Sequence, residues 1–331
     1  MRILSGLKHD HCHMLDGQGA YEWWYADALD ASGEWGVVMI LFRGMPMSPD
    51  YLANPNDLQG GYALSIYHRG VRIAFAFGGH PLENCRFAGD DVHVSMPGAE
   101  LRRIDEKLSM TIDAPCGNDG RRACVALSMN VGSSVVHDSY AADDPHTWIL
   151  AAPRSPATVQ IQIHEAHGEV VARSFPAIAY HDHNMGVRAM AVDFRDWYWG
   201  RLHTDHQTIV YLVTKRSADE TSWFGRVHDD GRVEAFSDVD VMFQRPRWSM
   251  MGLRYHQRIV LRGRDSEGHL VTAECLNARV CEDGPFYQRY ISRWRVDGVE
   301  AGMGMSEYMD VRRLSKAWIR PFLRLPWVVS S

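Results

Sequence analysis

Short apolar or alternating runs, each bounded by turn residues, recur along the whole chain. Gly36 to Phe42, Gly61 to Tyr67, Val71 to Phe77, Leu108 to Ile112 and Thr158 to Ile163 read as strands in the first half, and Gln207 to Thr214, Arg258 to Leu261 and Leu270 to Leu276 in the second. Few windows of a dozen residues keep an apolar face at period 3.6 without a Gly, Pro or β-branched interruption, so helix should be scarce. Asp230-Gly231 and Asp297-Gly298 stand between strand-like flanks, where type I′ hairpin turns are expected. Regularly spaced short strands with such turns predict an all-β chain of sandwiches or barrels.

One internal echo divides the pattern. Glu22-Trp23-Trp24-Tyr25, followed by an apolar strand, is answered about half a chain later by Asp196-Trp197-Tyr198-Trp199 and another apolar strand. At 331 residues the chain is also longer than one core usually supports. Two consecutive antiparallel β-barrels are therefore expected, with the join near 153–177, where Pro153, Pro156 and Pro176 interrupt the strand pattern. The expected division is an N-terminal tail at 1–19, a first barrel at 20–170, and a second at 171–331 that ends in a C-terminal tail. Stretches 43–60 and 278–290 read as long loops at barrel mouths.

Composition narrows the function. Thirty-five basic against 41 acidic side chains give a formal charge of −6, the wrong sign for a phosphate-backbone binder, so no nucleic acid is expected as a partner. The N-terminus lacks the apolar run of a secretory signal and no stretch approaches about 20 apolar residues, which points to a cytoplasmic protein. Six cysteines without a Cys-x-x-Cys pair suit reduced thiols. Eleven Trp, 13 Tyr, 11 Phe and 16 Met suit a roomy barrel lumen for an irregular apolar ligand, or a large core.

Three motifs carry a resemblance: Tyr21-Glu22-Trp23-Trp24-Tyr25, Ala179-Tyr180-His181-Asp182-His183-Asn184-Met185-Gly186, and Trp197-Tyr198-Trp199-Gly200-Arg201. With these the chain resembles the carotenoid 1,2-hydratase (hydroxyneurosporene synthase) family and its lipocalin-like relatives, which include fungal cyclases of the Diels-Alderase type. The resemblance implies two lipocalin-like barrels and chemistry without a metal or organic cofactor on isoprenoid or polyene substrates. In the hydratase pattern His-Asn is followed by Trp, and a later strand carries Tyr-x-Asp, whose acid is the favoured proton donor. Here Met185 stands at the Trp position, and Tyr211-Leu212-Val213 offers Val at the acid position.

The densest polar cluster, Tyr180 to Asn184, should lie on the opening strand of the second barrel. Alternation sends His181 and His183 one way and Tyr180, Asp182 and Asn184 the other. An Asp182 desolvated in an apolar lumen would stay protonated and could donate to an alkene or carbonyl, with a histidine as base and Tyr211 beside it. Alternatively Asp182 and Asn184 fasten the inter-barrel connection. Trp23, Trp24, Trp197 and Trp199 either line the lumen, their π faces steadying a developing cation, or fill a core, with Tyr25 a further substrate contact. Arg201 pairs with Glu22 or holds a substrate carboxylate. Tyr287 is placed at a barrel mouth and Glu307 as an interior acid.

His9, His11 and His13 offer zinc or copper ligand types, but no fourth ligand is predictable, and no metal is expected. The stretch Trp318 to Trp327 either rests on a bilayer as a peripheral contact or packs across a barrel end. The expected function is a cofactor-free lyase or isomerase that uses general acid–base catalysis to hydrate, isomerise or cyclise a lipophilic unsaturated small molecule. The alternative is a non-catalytic carrier of such a ligand.

Overall fold

The structure is a computed structural model that describes residues 1–56, 58–117, 120–132, 144–217 and 219–324. It divides into two compact units, Met1–Ala189 and Met190–Ser331. Each is a sheet curled into a half-barrel, so the all-β, lipocalin-like architecture holds.

The first unit contains β1 (Arg2–Ser5), β2 (Tyr21–Leu29), β3 (Trp35–Arg43), β4 (Gln59–His68), β5 (Val71–Pro81), β6 (Arg86–Phe87), β7 (His93–Met96), β8 (Ala99–Ile104), β9 (Lys107–Pro115), β10 (Arg122–Asn130), β11 (His146–His164) and β12 (Val170–Gly186). They form a 12-stranded sheet in the order β5-β4-β3-β2-β12-β11-β10-β9-β8-β7-β6, antiparallel except for β1, which adds parallel to β11. Period-2 patterning explains the far side of this sheet. On β9, Leu108, Met110, Ile112 and Ala114 are buried, and across from them β10 sets Met129, Leu127, Val125 and Ala123. On β2 every residue is buried, so both faces are covered and the alternation vanishes from the sequence.

The second unit contains β13 (Phe194–His203), β14 (Gln207–Arg216), β15 (Glu220–His228), β16 (Val233–Ala235), β17 (Ser237–Trp248), β18 (Arg254–Arg264), β19 (Leu270–Asp283), β20 (Tyr287–Val296) and β21 (Val299–Asp310). Its 9-stranded order is β16-β15-β14-β13-β21-β20-β19-β18-β17. The aromatic echo has a topological meaning. β2 lies between its hairpin partner β3 and the last strand of the unit, β12; β13 lies likewise between β14 and β21. Within that frame Tyr25 pairs with Asp182, and Trp199 pairs with Glu307.

Several expectations are corrected. The stretch 170–186 belongs to the first sheet, because β12 pairs with both β2 and β11; it does not open the second barrel. Pro153 and Pro156 fall inside β11: Pro153 lies within the register shifts between Ile149 and Ser155, Pro156 continues the strand opposite Ile178, and Pro176 continues β12 opposite Thr158. Residues 1–19 are no loose tail: Leu4, Leu7 and Cys12 enter the core and Asp10 is fully buried. Stretch 43–60 contains a short helix at Pro49–Ala53, capped by Ser48 Oγ accepting from the Tyr51 N–H, and 278–283 is strand, leaving only 284–286 between β19 and β20. Asp297-Gly298 is the expected turn, with φ of 50° and 81°; at Asp230-Gly231 only the glycine is left-handed, at 80°, in a four-residue connection.

The second unit also holds a buried carboxylate whose loss should be measurable. Glu234 accepts from Arg226 Nε at 2.7 Å and from the Ser266 N–H at 2.8 Å, with His228 Nε2 at 2.9 Å. Burial alone would raise its pKa, but these donors, Arg226 foremost, hold it well below the usual carboxylate range. A depressed carboxyl contributes stability above its unfolded value, roughly 4.3, and loses it as pH falls through the folded one. Glu234→Gln should therefore cost roughly 1–3 kcal/mol near neutrality, and urea denaturation in acid should show the gap to wild type closing. An unchanged urea midpoint at neutral pH would contradict this.

Candidate active site

β12 presents different chemistry on its two faces. Register with β2 sets His183 opposite Trp24, His181 opposite Ala26 and Met185 opposite Glu22; Trp24, Ala26 and Met185 belong to the first unit's core, so this is the lumen face. Asn184 opposite Trp23, Asp182 opposite Tyr25 and Tyr180 opposite Asp27 form the other face, also buried. The alternation expected of the cluster is therefore observed, and its five residues cannot act as one set.

On the lumen face His181 lies between two acceptors. Nδ1 is 2.8 Å from the Tyr25 carbonyl and Nε2 is 2.8 Å from Asp10 Oδ2. Burial lowers its pKa, but the Asp10 charge and hydrogen bond outweigh that and raise it, and the ring clamps Asp10 to β12. His183 is different. Its ring stacks on Trp24 with centroids 4.4 Å apart, and neither nitrogen has a partner at hydrogen-bond distance: Glu22 Oε2 is 3.4 Å from Nε2 and Asp10 Oδ1 is 3.6 Å from Nδ1. Burial pushes its pKa down against the pull of Glu22 and Asp10.

Glu22 lies in the first unit and is held by the segment that precedes β2. It accepts from the His13 N–H at 2.8 Å, the Leu15 N–H at 3.3 Å and the Cys12 thiol at 3.4 Å. Burial would raise its pKa, but the His13 and His183 rings beside it and the His13 N–H hold it well below the usual range, while burial beside this charge pushes the Cys12 thiol up to about 12. A left-handed Met14 (φ 53°) reverses the chain so that the amides on both sides of it reach the one carboxylate.

On the other face Asp182 is enclosed by aromatic rings. Oδ2 accepts from Trp148 Nε1 at 2.7 Å and from the Tyr180 hydroxyl at 2.8 Å, and Oδ1 faces Asn184 Nδ2 at 2.9 Å. Tyr25 meets the Tyr180 ring edge-on at 6.1 Å and donates its hydroxyl to Asp27 at 3.0 Å. The Asn184 carbonyl oxygen is buried without a partner. Since the oxygen and NH₂ of a side-chain amide are nearly the same size, Asn184 can turn over in place and accept from a protonated Asp182. The Asp182–Asn184 contact thus survives in either protonation state of the acid.

The remaining nominated residues lie in the second unit. Tyr211 sits in the second unit's core, its ring 5.8 Å from Trp294, and burial raises its hydroxyl well above the ordinary phenol value. Gly200 and Tyr198 share that core side, which leaves Trp197, Trp199 and Arg201, all buried, on the opposite face of β13. Glu307 pairs in register with Trp199, and its carboxylate accepts from Arg289 Nε at 2.8 Å. Arg289 also donates to Glu282 at 2.9 Å and lies over the Tyr287 ring at 5.3 Å; Tyr287 begins β20 and is not in a loop.

The rings of His11 and His13 stack with centroids 4.6 Å apart, but their nitrogens have different neighbours: His11 Nδ1 meets the Lys8 carbonyl, while His13 faces Glu22. Of the C-terminal stretch, Ala317–Arg324 is a 3₁₀ helix, and Leu325 to Trp327 lie outside the described residues. No helix among the described residues is long and apolar enough to cross a membrane.

The family model described as carotenoid hydratase CrtC matches residues 86–328. The chain belongs to this family. It is 26% identical over 344 residues to the hydroxyneurosporene dehydrogenase of Chlorobaculum tepidum, covering 94% of this chain and 87% of that one. It is also 26% identical over 324 residues to the acyclic carotenoid 1,2-hydratase of Thiocapsa roseopersicina, covering 94% and 74%. Among solved structures, a putative AttH from Nitrosomonas europaea shares the fold with a TM-score of 0.64 at 14% identity, over 92% of this chain and 96% of that one.

Within the carotenoid hydratase family the two departures of this chain have a packing explanation. Met185 joins the core cluster of the first unit and Val213 that of the second, so both positions are filled by apolar contacts. Trp148 and Asp10 were not singled out as site residues. Trp148 reaches Asp182 only because β11 lies beside β12, which no local pattern announces. Asp10 was visible as the acid between His9 and His11, but its partner His181 is distant in the chain.

Proposed function

We propose that the protein adds water across a carbon–carbon double bond of an acyclic carotenoid or similar polyene, with Asp182 as the acid and base. The observation that carries this reading is the Asp182 carboxyl, buried, held by Trp148 and Tyr180, opposite Tyr25, and faced by an amide that accommodates it protonated or ionised. Family membership supports the substrate class.

The chemistry balances with no further reactant. Asp182 gives its proton to the less substituted alkene carbon; the π electrons form the new C–H bond, and positive charge develops at the more substituted carbon. Aromatic faces stabilise such a charge by roughly 0.5–2 kcal/mol each when desolvated. Water adds to the cation, the C–O bond forms, and its surplus proton returns to the Asp182 carboxylate. Tyr180 and Trp148 keep that oxygen aimed by their hydrogen bonds.

The test is incubation of the purified chain with an acyclic carotenoid in isotopically labelled water. The expected product carries labelled oxygen on one carbon and hydrogen from solvent on its neighbour. A product that has lost two hydrogens, as a dehydrogenase would give, or a carotenoid that binds and is returned unchanged, as a carrier would give, contradicts the proposal.

A further inference from the structure

The lumen face of β12 holds an arrangement that the hydration reading does not use. One potential ligand atom each from His13, Glu22 and His183 lies within 4.8 Å of the other two. Glu22 Oε2 is 3.5 Å from His13 Nδ1 and 3.4 Å from His183 Nε2. These separations are too long for good N–H···O hydrogen bonds. They equal the edge of a tetrahedron of nitrogen and oxygen ligands around zinc, about 3.4 Å for bonds of about 2.0–2.1 Å.

A second observation points the same way. The His183 side chain is wholly buried, and both its ring nitrogens lack a hydrogen-bond partner, a state that native structures rarely leave unanswered. Nε2 is aimed at Glu22. Behind the ring, Asp10 Oδ1 stands 3.6 Å from Nδ1, and Asp10 is itself fixed by His181 at 2.8 Å. A carboxylate behind a histidine is the usual outer partner of a ligating imidazole: it favours the tautomer with the proton on Nδ1 and leaves the Nε2 lone pair free.

We propose that His13, Glu22 and His183 bind one divalent transition-metal ion of the zinc class, with a fourth position open to solvent beside the partly exposed His13. Two imidazoles and one carboxylate are the donor set of such ions rather than of calcium or magnesium. The ion ties the segment around His13 to β2 and β12, closing the first unit where its N-terminal residues cross the lumen. The site is distinct from Asp182, whose side chain leaves β12 on the opposite face.

The experiment uses the full chain, stripped with a chelator and titrated with Zn²⁺ by calorimetry and thermal unfolding. One equivalent should bind with submicromolar affinity and raise the unfolding temperature, and Co²⁺ should give the visible d–d bands of a low-coordinate site. Outer-partner losses alone weaken metal sites about 10–100-fold, so His13→Gln and Glu22→Gln should each lose on the order of 100-fold or more. His13 is partly exposed, so its variant should fold even if Glu22→Gln does not; circular dichroism checks both. His11→Gln and Asp182→Asn should bind Zn²⁺ as wild type does. Absence of saturable binding at micromolar Zn²⁺ overturns the proposal. So does binding that survives His13→Gln but is lost in His9→Gln or His11→Gln, which would assign the ion to the terminal histidine run.

Discussion

Asp182→Asn should lower turnover of the polyene by about 10²–10⁴-fold, the usual contribution of a general acid–base group, while substrate affinity changes little. The substitution is nearly isosteric. Its amide oxygen still accepts from Trp148 and Tyr180, and its NH₂ can donate to the Asn184 carbonyl oxygen, which is otherwise unpartnered. What disappears is the transferable proton, so the fall should appear in kcat with KM nearly constant. Steady-state kinetics together with a calorimetric Kd separate the two. Should the variant unfold, Asp182 is a clamp between β11 and β12. Should turnover survive, the acid is elsewhere, and Glu307, which holds the matching register position opposite Trp199, is the next residue to replace.

The halves of this site differ in how far they could be read from the chain. Alternation correctly separated His181 and His183 from Asp182, because a strand's side-chain period is local and holds wherever the strand is regular. The echo of Glu22 to Tyr25 in Asp196 to Trp199 likewise marked corresponding strands, β2 and β13. Partnership was another matter. Asp10 reaches His181, and Trp148 reaches Asp182, only after β1 and β12 have both docked on β11; strand order is a global property with no local signature. The prolines misled for a related reason. Pro153 and Pro156 read as a break between units, but the long strand β11 carries one within an irregular stretch and the other in regular register, so the division fell after β12 and not before it. His183 shows the limit most clearly: its residue type was noticed, whereas its unpartnered burial between Glu22 and Asp10 exists only in three dimensions.

Arg289→Leu should destabilise the protein by about 3–5 kcal/mol near neutral pH, the cost of breaking a buried ion pair from one side. Arg289 donates to Glu282 on one hand and Glu307 on the other, and all three side chains are at most 12% exposed. The leucine keeps part of the packing against Tyr287 but leaves two carboxylates without the guanidinium they share. In the wild type, burial already raises the Glu307 pKa against the pull of Arg289. Without that pull it rises further. A carboxyl whose folded pKa lies above its unfolded value binds more protons when folded, so stability falls as pH climbs from the unfolded value through the folded one. The variant should therefore be least stable near neutrality and recover as Glu307 protonates in mild acid, a dependence opposite in sign to that of Glu234. Adding Glu307→Gln to Arg289→Leu should restore much of the neutral-pH loss and flatten the profile. Urea unfolding across that pH range would decide the matter, because a loss that is the same at every pH would mean that Arg289 acts through packing and not through its charge.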